Sequence, residues 1–110
     1  MSRRLEQVNS KILQDVAAII RRDLEFKPGV IASVVKVRVE PDLKSAAIYV
    51  SVLPETAAAG VLKYLAANRV PIQQQLAKGL TMKFLPKIRF LLDDTESQAA
   101  RIESLIDSLN

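Results

Sequence analysis

Within 110 residues the spacing of apolar side chains switches from a helical period to strict alternation and back, twice. Leu5, Val8, Ile12, Val16, Ile19 or Ile20, and Leu24 recur at three- and four-residue steps. This predicts an amphipathic helix over about Arg4 to Glu25, with Lys11, Gln14, Arg21 and Arg22 solvated. Lys27-Pro28-Gly29 ends it, because proline cannot continue a helix and glycine tolerates the turn. Val30 to Val39 then reads VIASVVKVRV. Val35, Val37 and Val39 alternate with Lys36 and Arg38, so a strand is expected with the valines buried and both cations on the opposite face. Glu40-Pro41-Asp42-Leu43-Lys44 supplies a turn. Ala46 to Leu53 follows as a second strand, with Ile48, Val50 and Val52 facing one way and Tyr49 and Ser51 the other. So short a connection favours antiparallel pairing.

The pattern returns to a helical period after Pro54. Glu55 or Thr56 can open a helix through AAAGVLKYLAANR, with Val61, Leu62 and Leu65, and Tyr64 beside them, on its apolar face. Val70-Pro71 interrupts it, and Pro71 is expected to open a second helical segment to about Lys78, with Ile72 and Leu76 inward and Gly79 as its end. Lys87 to Leu92 is the third strand, entered through Pro86. Ile88, Phe90 and Leu92 are expected to face the core, Lys87 and Arg89 to point out. Thr95 and Gln98 have the spacing of a capping box for a last helix striped by Ile102, Leu105, Ile106 and Leu109. The expected fold is α+β, in the order helix, strand, strand, helix, kink, helix, strand, helix. One mixed three-stranded sheet with helices packed on one face would bury every stripe in a single domain spanning residues 1–110.

Composition narrows the function. The chain has neither cysteine nor histidine, which excludes disulfides, thiolate and imidazole metal sites, and Ser-His or Cys-His nucleophile systems. No cofactor, metal ion or small-molecule substrate is expected. No apolar run is long enough to span a bilayer, and no apolar signal stretch follows Met1-Ser2-Arg3-Arg4-Leu5-Glu6, so a cytoplasmic location and no membrane partner are expected. The net charge of +4 favours a polyanion as partner. Its sharpest asymmetry is the stretch from residue 69 to residue 89, where Arg69, Lys78, Lys83, Lys87 and Arg89 occur without one Asp or Glu. These five are the first candidates for phosphate contact. Lys36 and Arg38 share a strand face and Lys44 sits at the hairpin turn, which adds three more. On the opening helix, Arg3, Arg4, Lys11, Arg21 and Arg22 are interleaved with Glu6, Asp15, Asp23 and Glu25, so surface pairing is the simpler account of them. Aromatic residues are scarce, so recognition is expected to rest on phosphates and shape rather than base stacking. Two other classes compete. Asp93-Asp94 with Glu96 is an acidic cluster that a magnesium-dependent nuclease would use, but carboxylates complementing the dipole at a helix N-terminus are the far better account of it. A protein–protein adaptor could dock through the last helix.

Two segments carry a resemblance to a known family. VEPDLKSAAIYVSVL, Val39 to Leu53, resembles the signature stretch of ribosome-binding factor A in Pro41-Asp42-Leu43, Ala46 and Ile48-Tyr49-Val50-Ser51. FLPKIRFLLDDT, Phe84 to Thr95, is similar to a second family segment in Pro86, Ile88, Phe90 and Asp93. Arg4 and Val8, opening a long helix that reaches Gly29, are a third and less specific match. The resemblance implies a KH-type domain of the second topology that binds 16S rRNA within the free small ribosomal subunit. It also implies a role in late maturation at the rRNA 5′ end, with prominence under cold shock. Lys78 and Lys83, flanking the turn after the kinked helix, match basic positions of the family, as does Arg4. The chain departs from the pattern as well. It has no Gly-x-x-Gly clamp, and Asn68-Arg69-Val70, followed by Pro71, stands where the family carries Ala-x-Gly. Gln73 and Gln7 replace arginines common in the family. The kink is therefore expected to arise from proline geometry, and the chain to work as a monomer without catalytic activity.

Overall fold

The computed structural model describes residues 3–79 and 85–93. Helix α1 (Arg3–Asp23) leads through a turn into β1 (Ile31–Val39) and β2 (Ser45–Leu53). A short 3-10 turn (Glu55–Ala57) then precedes α2 (Ala58–Ala67), α3 (Arg69–Gly79) and β3 (Lys87–Leu92). The expected final helix, Lys83, Asp94 and Glu96 lie outside the described residues. Strand order is β1-β2-β3, with β1 antiparallel to β2 and β2 parallel to β3, so the sheet is mixed as expected. The parallel pairing follows from the long helical crossover between β2 and β3, which brings the chain back to the same end of the sheet.

The helices pack on one face of the sheet, and helices and strands supply the core in nearly equal shares. Ile12, Val16, Ile19 and Ile20 of α1 meet Val37 and Val39 of β1, while Val61, Leu65, Ile72 and Leu76 of the kinked pair join Ala46, Ile48, Val50, Val52 and Ile88. Ile12, Ile48, Leu65, Leu76 and Ile88 are essentially inaccessible. Each such side chain removes apolar surface worth roughly 1.5–3 kcal/mol from water.

Two turns show how local chemistry directs the chain. Pro28 and Gly29 occupy the middle of a turn closed by the Val30 N–H donating to Lys27 O at 3.0 Å, and Gly29 has φ 84°, the left-handed value a type II turn requires there. Between β1 and β2, Leu43 N–H donates to Glu40 O, Glu40 N–H to Ser45 O, and Lys44 N–H to the Asp42 carboxylate. That loop leaves Leu43 at φ 61°, an unusual conformation for a branched side chain.

Four expectations need correction. Val35 is 44% exposed rather than buried, because the pairing slips between Val34 and Lys36. One extra residue in β1 reverses the alternation: Ala32 and Val34 face inward before the bulge, Val37 and Val39 after it. Leu92, the last residue of β3, is 40% exposed rather than buried, although its partner Val50 in the same row is fully covered. Glu55–Ala57 forms a 3-10 turn, and the α-helix starts only at Ala58.

The fourth correction concerns the kink. Helix α2 ends at Ala67, and α3 already begins at Arg69, with Val70 and Pro71 inside its first turn. The break falls at Asn68, just after Ala67, whose carbonyl the Pro71 ring would meet in a continuous helix. The Asn68 side-chain amide donates to Tyr64 O at 2.8 Å, and its backbone N–H donates to the Tyr64 and Leu65 carbonyls. The first backbone bond of α3 runs from Ile72 N–H to Asn68 O, so Pro71, one residue earlier, has no helical bond to forgo. With φ −100° at Asn68, the break requires no glycine.

Candidate nucleic-acid interface

The face of the sheet away from the helices carries the cations of the strands. On β1 the bulge leaves Lys36 and Arg38 exposed on this face; on β3 alternation does the same for Lys87 and Arg89. Register then orders them into rows. Arg38 pairs with Ala47 and Ala47 with Arg89, so two arginines flank one small residue. In the next row Lys36 pairs with Tyr49 and Tyr49 with Leu91, and the Lys36 ammonium lies 5.4 Å from the centre of the Tyr49 ring, within cation–π range. On the other side Ser45 pairs with Lys87, whose backbone N–H donates to Lys44 O at 2.9 Å. Lys44 thus sits beside this basic end. The opposite end of the same face is apolar, with Ile31 and Leu53 in register and both more than half exposed.

The kink brings in one further cation. Arg69, in the first turn of α3, lines a cleft of about 360 Å³ together with Lys87, Arg89, Ser45, Ile88 and Glu40, the one carboxylate on its wall. Arg69 and Lys87 also line an adjoining recess of about 390 Å³ with Val70, Gln73 and Gln74. Eighteen positions of chain separate Arg69 from Lys87, and the α3–β3 return brings them to one rim.

Gln73 holds this arrangement, a role that the sequence does not disclose. Its Nε2 donates to Pro86 O at 3.2 Å, and its Oε1 accepts the Ile88 N–H at 3.2 Å. A side-chain amide therefore satisfies the outer edge of β3 as a neighbouring strand's peptide would. The same Oε1 accepts a longer, 3.4 Å hydrogen bond from the Arg69 guanidinium, which ties Arg69 to the edge strand. Asn9 does the corresponding work on the far edge, where its Oδ1 accepts the Val39 N–H at 2.9 Å. Both edges are thus blunted by helix-borne amides, which removes backbone groups that another chain could pair with.

The remaining sequence candidates lie elsewhere. Lys78 is in the last turn of α3, about 13 Å along the helix from Arg69. It does not line the cleft. Arg4 is exposed in the first turn of α1, on the helix-covered side of the sheet. On the rest of α1 the expected surface pairing is present: Lys11 contacts Asp15 at 3.2 Å and Arg22 contacts Asp23 at 2.7 Å. The hydrogen bond from Arg22 holds the Asp23 carboxyl below its ordinary pKa, and Asp23 raises that of Arg22. That exposed pair lies on α1 and faces no cleft cation. Among the described residues no group of three or more Asp or Glu could hold a metal ion, and no helix is long and apolar enough to cross a membrane.

Comparison with known proteins agrees with this architecture. Residues 4–106 match the family model of ribosome-binding factor A. A ribosome-binding factor A from Akkermansia muciniphila is 32% identical over 110 residues, covering all of this chain and 87% of the relative. The crystal structure of ribosome-binding factor A from Thermus thermophilus superposes with a TM-score of 0.70 at 22% identity, over 80% of this chain and 93% of that one. A Thermus thermophilus ribosome binding factor A homology model, fitted into a cryo-EM map of its 30S complex, gives 0.64 at 23% identity, over 78% and 91%. Those two likenesses establish the shared fold. With the family model spanning nearly the whole sequence and a full-length relative above 30% identity, the chain belongs to the ribosome-binding factor A family.

Proposed function

We propose that this chain binds 16S rRNA in the free small ribosomal subunit, and that by doing so it assists late maturation, including processing at the rRNA 5′ end. The observation that carries the reading is the meeting of Arg69, Lys87 and Arg89 around one cleft, continuous with Arg38 and Lys36 on the open sheet face. Phosphate is the partner such a surface attracts, because each neutralised phosphate releases condensed counterions. The Thermus thermophilus relative fitted into a 30S map supports the choice of subunit. The protein acts by binding and not by catalysis, as a cytoplasmic monomer whose 110 residues work as one domain. Lys44, beside Lys87, extends the surface; Lys78, Lys83 and Arg4 serve as outlying contacts.

Co-sedimentation with purified small subunits tests this. Charge reversal at Arg69 and Lys87 together is expected to weaken binding by at least about a hundredfold, since two charge-assisted contacts are lost at roughly 1.5–3 kcal/mol each. Circular dichroism should remain that of the folded protein. Undiminished binding by the folded double variant would remove the cleft from the interface.

A further inference from the structure

Arg38 and Arg89 are exposed, lie on the same open face, and are separated only by Ala47 in the row Arg38–Ala47–Arg89. Among the described residues neither arginine has a hydrogen-bond or ion-pair partner. Their Cα atoms are two strand spacings apart, roughly 10 Å. Between them the alanine raises no side chain that would stand in the way. Ala47 is nevertheless only 4% exposed, although no described helix packs on this face. Both flanking arginines are exposed, and their side chains are long enough for the two guanidiniums to meet above the alanine. Two like charges brought together with no carboxylate in their row favour an anion between them. A guanidinium presents a planar fork that matches phosphate oxygens in a bidentate manner.

We infer that Arg38 and Arg89 form a clamp for a single phosphodiester group of RNA, with Ala47 as its floor. This rests on the RNA reading above and names the atoms that perform it. The rows on either side continue the path of the backbone, Lys87 below and Lys36 above, about 7 Å from the clamp along the strands. Because the Lys36 ammonium occupies the Tyr49 ring, the nearest aromatic surface is not offered for base stacking. The clamp therefore takes the backbone and not the base, and its affinity should be indifferent to sequence.

The test is fluorescence anisotropy with a labelled ten-nucleotide oligouridylate, using the full chain and the variants Arg38→Gln, Arg89→Gln, their double, and Ala47→Leu, with Lys63→Gln as a surface control. Thermal melts establish that each variant is folded. A shared phosphate predicts strong non-additivity. Each single change should weaken binding about tenfold, and the double should lose no more than about threefold further, not the roughly hundredfold of independent contacts. Ala47→Leu, which alters no charge, should cost about as much as either single change by lifting the phosphate off its floor. Oligoadenylate of the same length should bind equally well. Multiplying losses in the double variant, or wild-type affinity in Ala47→Leu, would overturn the clamp. If Arg69→Gln and Lys87→Gln abolish binding while Arg38 and Arg89 are dispensable, the clamp fails and the RNA reading stands. Tight binding to anionic phosphatidylglycerol vesicles with none to RNA or small subunits would reject both.

Discussion

Gly29 and Leu43 both have a positive φ and differ in what it costs them. Gly29 needs φ 84° for its turn, and a β-carbon built there would meet nothing within 4 Å, so the demand is purely conformational. Gly29→Ala should therefore lower stability by about 1–2 kcal/mol in urea melts, despite the open space around it. Leu43 sits at φ 61° with its side chain 40% exposed and gains little packing in return. Leu43→Asn should raise stability by up to about 1 kcal/mol, because asparagine tolerates the left-handed region; an unchanged or lowered midpoint would contradict that account. Such a gain would also show that strain at the turn beside Lys44 is tolerated and not needed for the fold. In the core, Ile48 is fully buried at the centre of the sheet, and Ile48→Ala should cost about 3–4 kcal/mol. A loss that large is a substantial share of the stability of a domain this size.

The helical and strand elements are largely legible from periodicity, because each is built on one buried stripe. The α1 stripe, the inward face of β2 and the burial of Val37, Val39 and Ile88 all follow the spacing of apolar residues. What escapes is chemistry that spacing does not encode. The β1 bulge shifts phase within a run of valines that reads continuously, so alternation alone puts Val35 on the wrong face. Val70-Pro71 is the strongest local breaker in the sequence, yet the break itself falls at Asn68, and Val70 and Pro71 lie inside the first turn of α3. Gln73 stands in the sequence only as an arginine missing from a family position. Two of its three hydrogen bonds exist because α3 lies beside β3, a tertiary fact, and the third joins it to Arg69 one turn earlier on the same helix. Gln73→Leu leaves the Ile88 N–H and Pro86 C=O without partners and should cost about 2 kcal/mol. It should also raise amide hydrogen exchange at Ile88 and loosen Arg69. Unchanged protection at Ile88 would argue against the strand-like role of this side chain.

At the scale of the whole molecule, the described helices all pack on one face of the sheet and none on the other, and it is this asymmetry that gives the charge a direction. A net charge of +4 says little by itself, but the fold sorts it. Cations from β1, β3 and the start of α3 gather at one end of the open face and its rim, while on α1 Lys11 and Arg22 are already paired with carboxylates. The basic set can be assembled from the sequence, but its grouping is not legible there. Arg69 to Arg89 reads as one segment, yet Lys78 is carried to the far end of α3 while Lys36 and Arg38 join from a strand much earlier in the chain. The central claim is that this surface holds the free small subunit through phosphates. Its most direct test is equilibrium co-sedimentation of the protein with purified free small subunits as monovalent salt is raised. With roughly three to five phosphates neutralised, the logarithm of the association constant should fall linearly against the logarithm of salt concentration, with a slope of about −2 to −4. Binding that is independent of salt, or absent from small subunits at low salt, would contradict it.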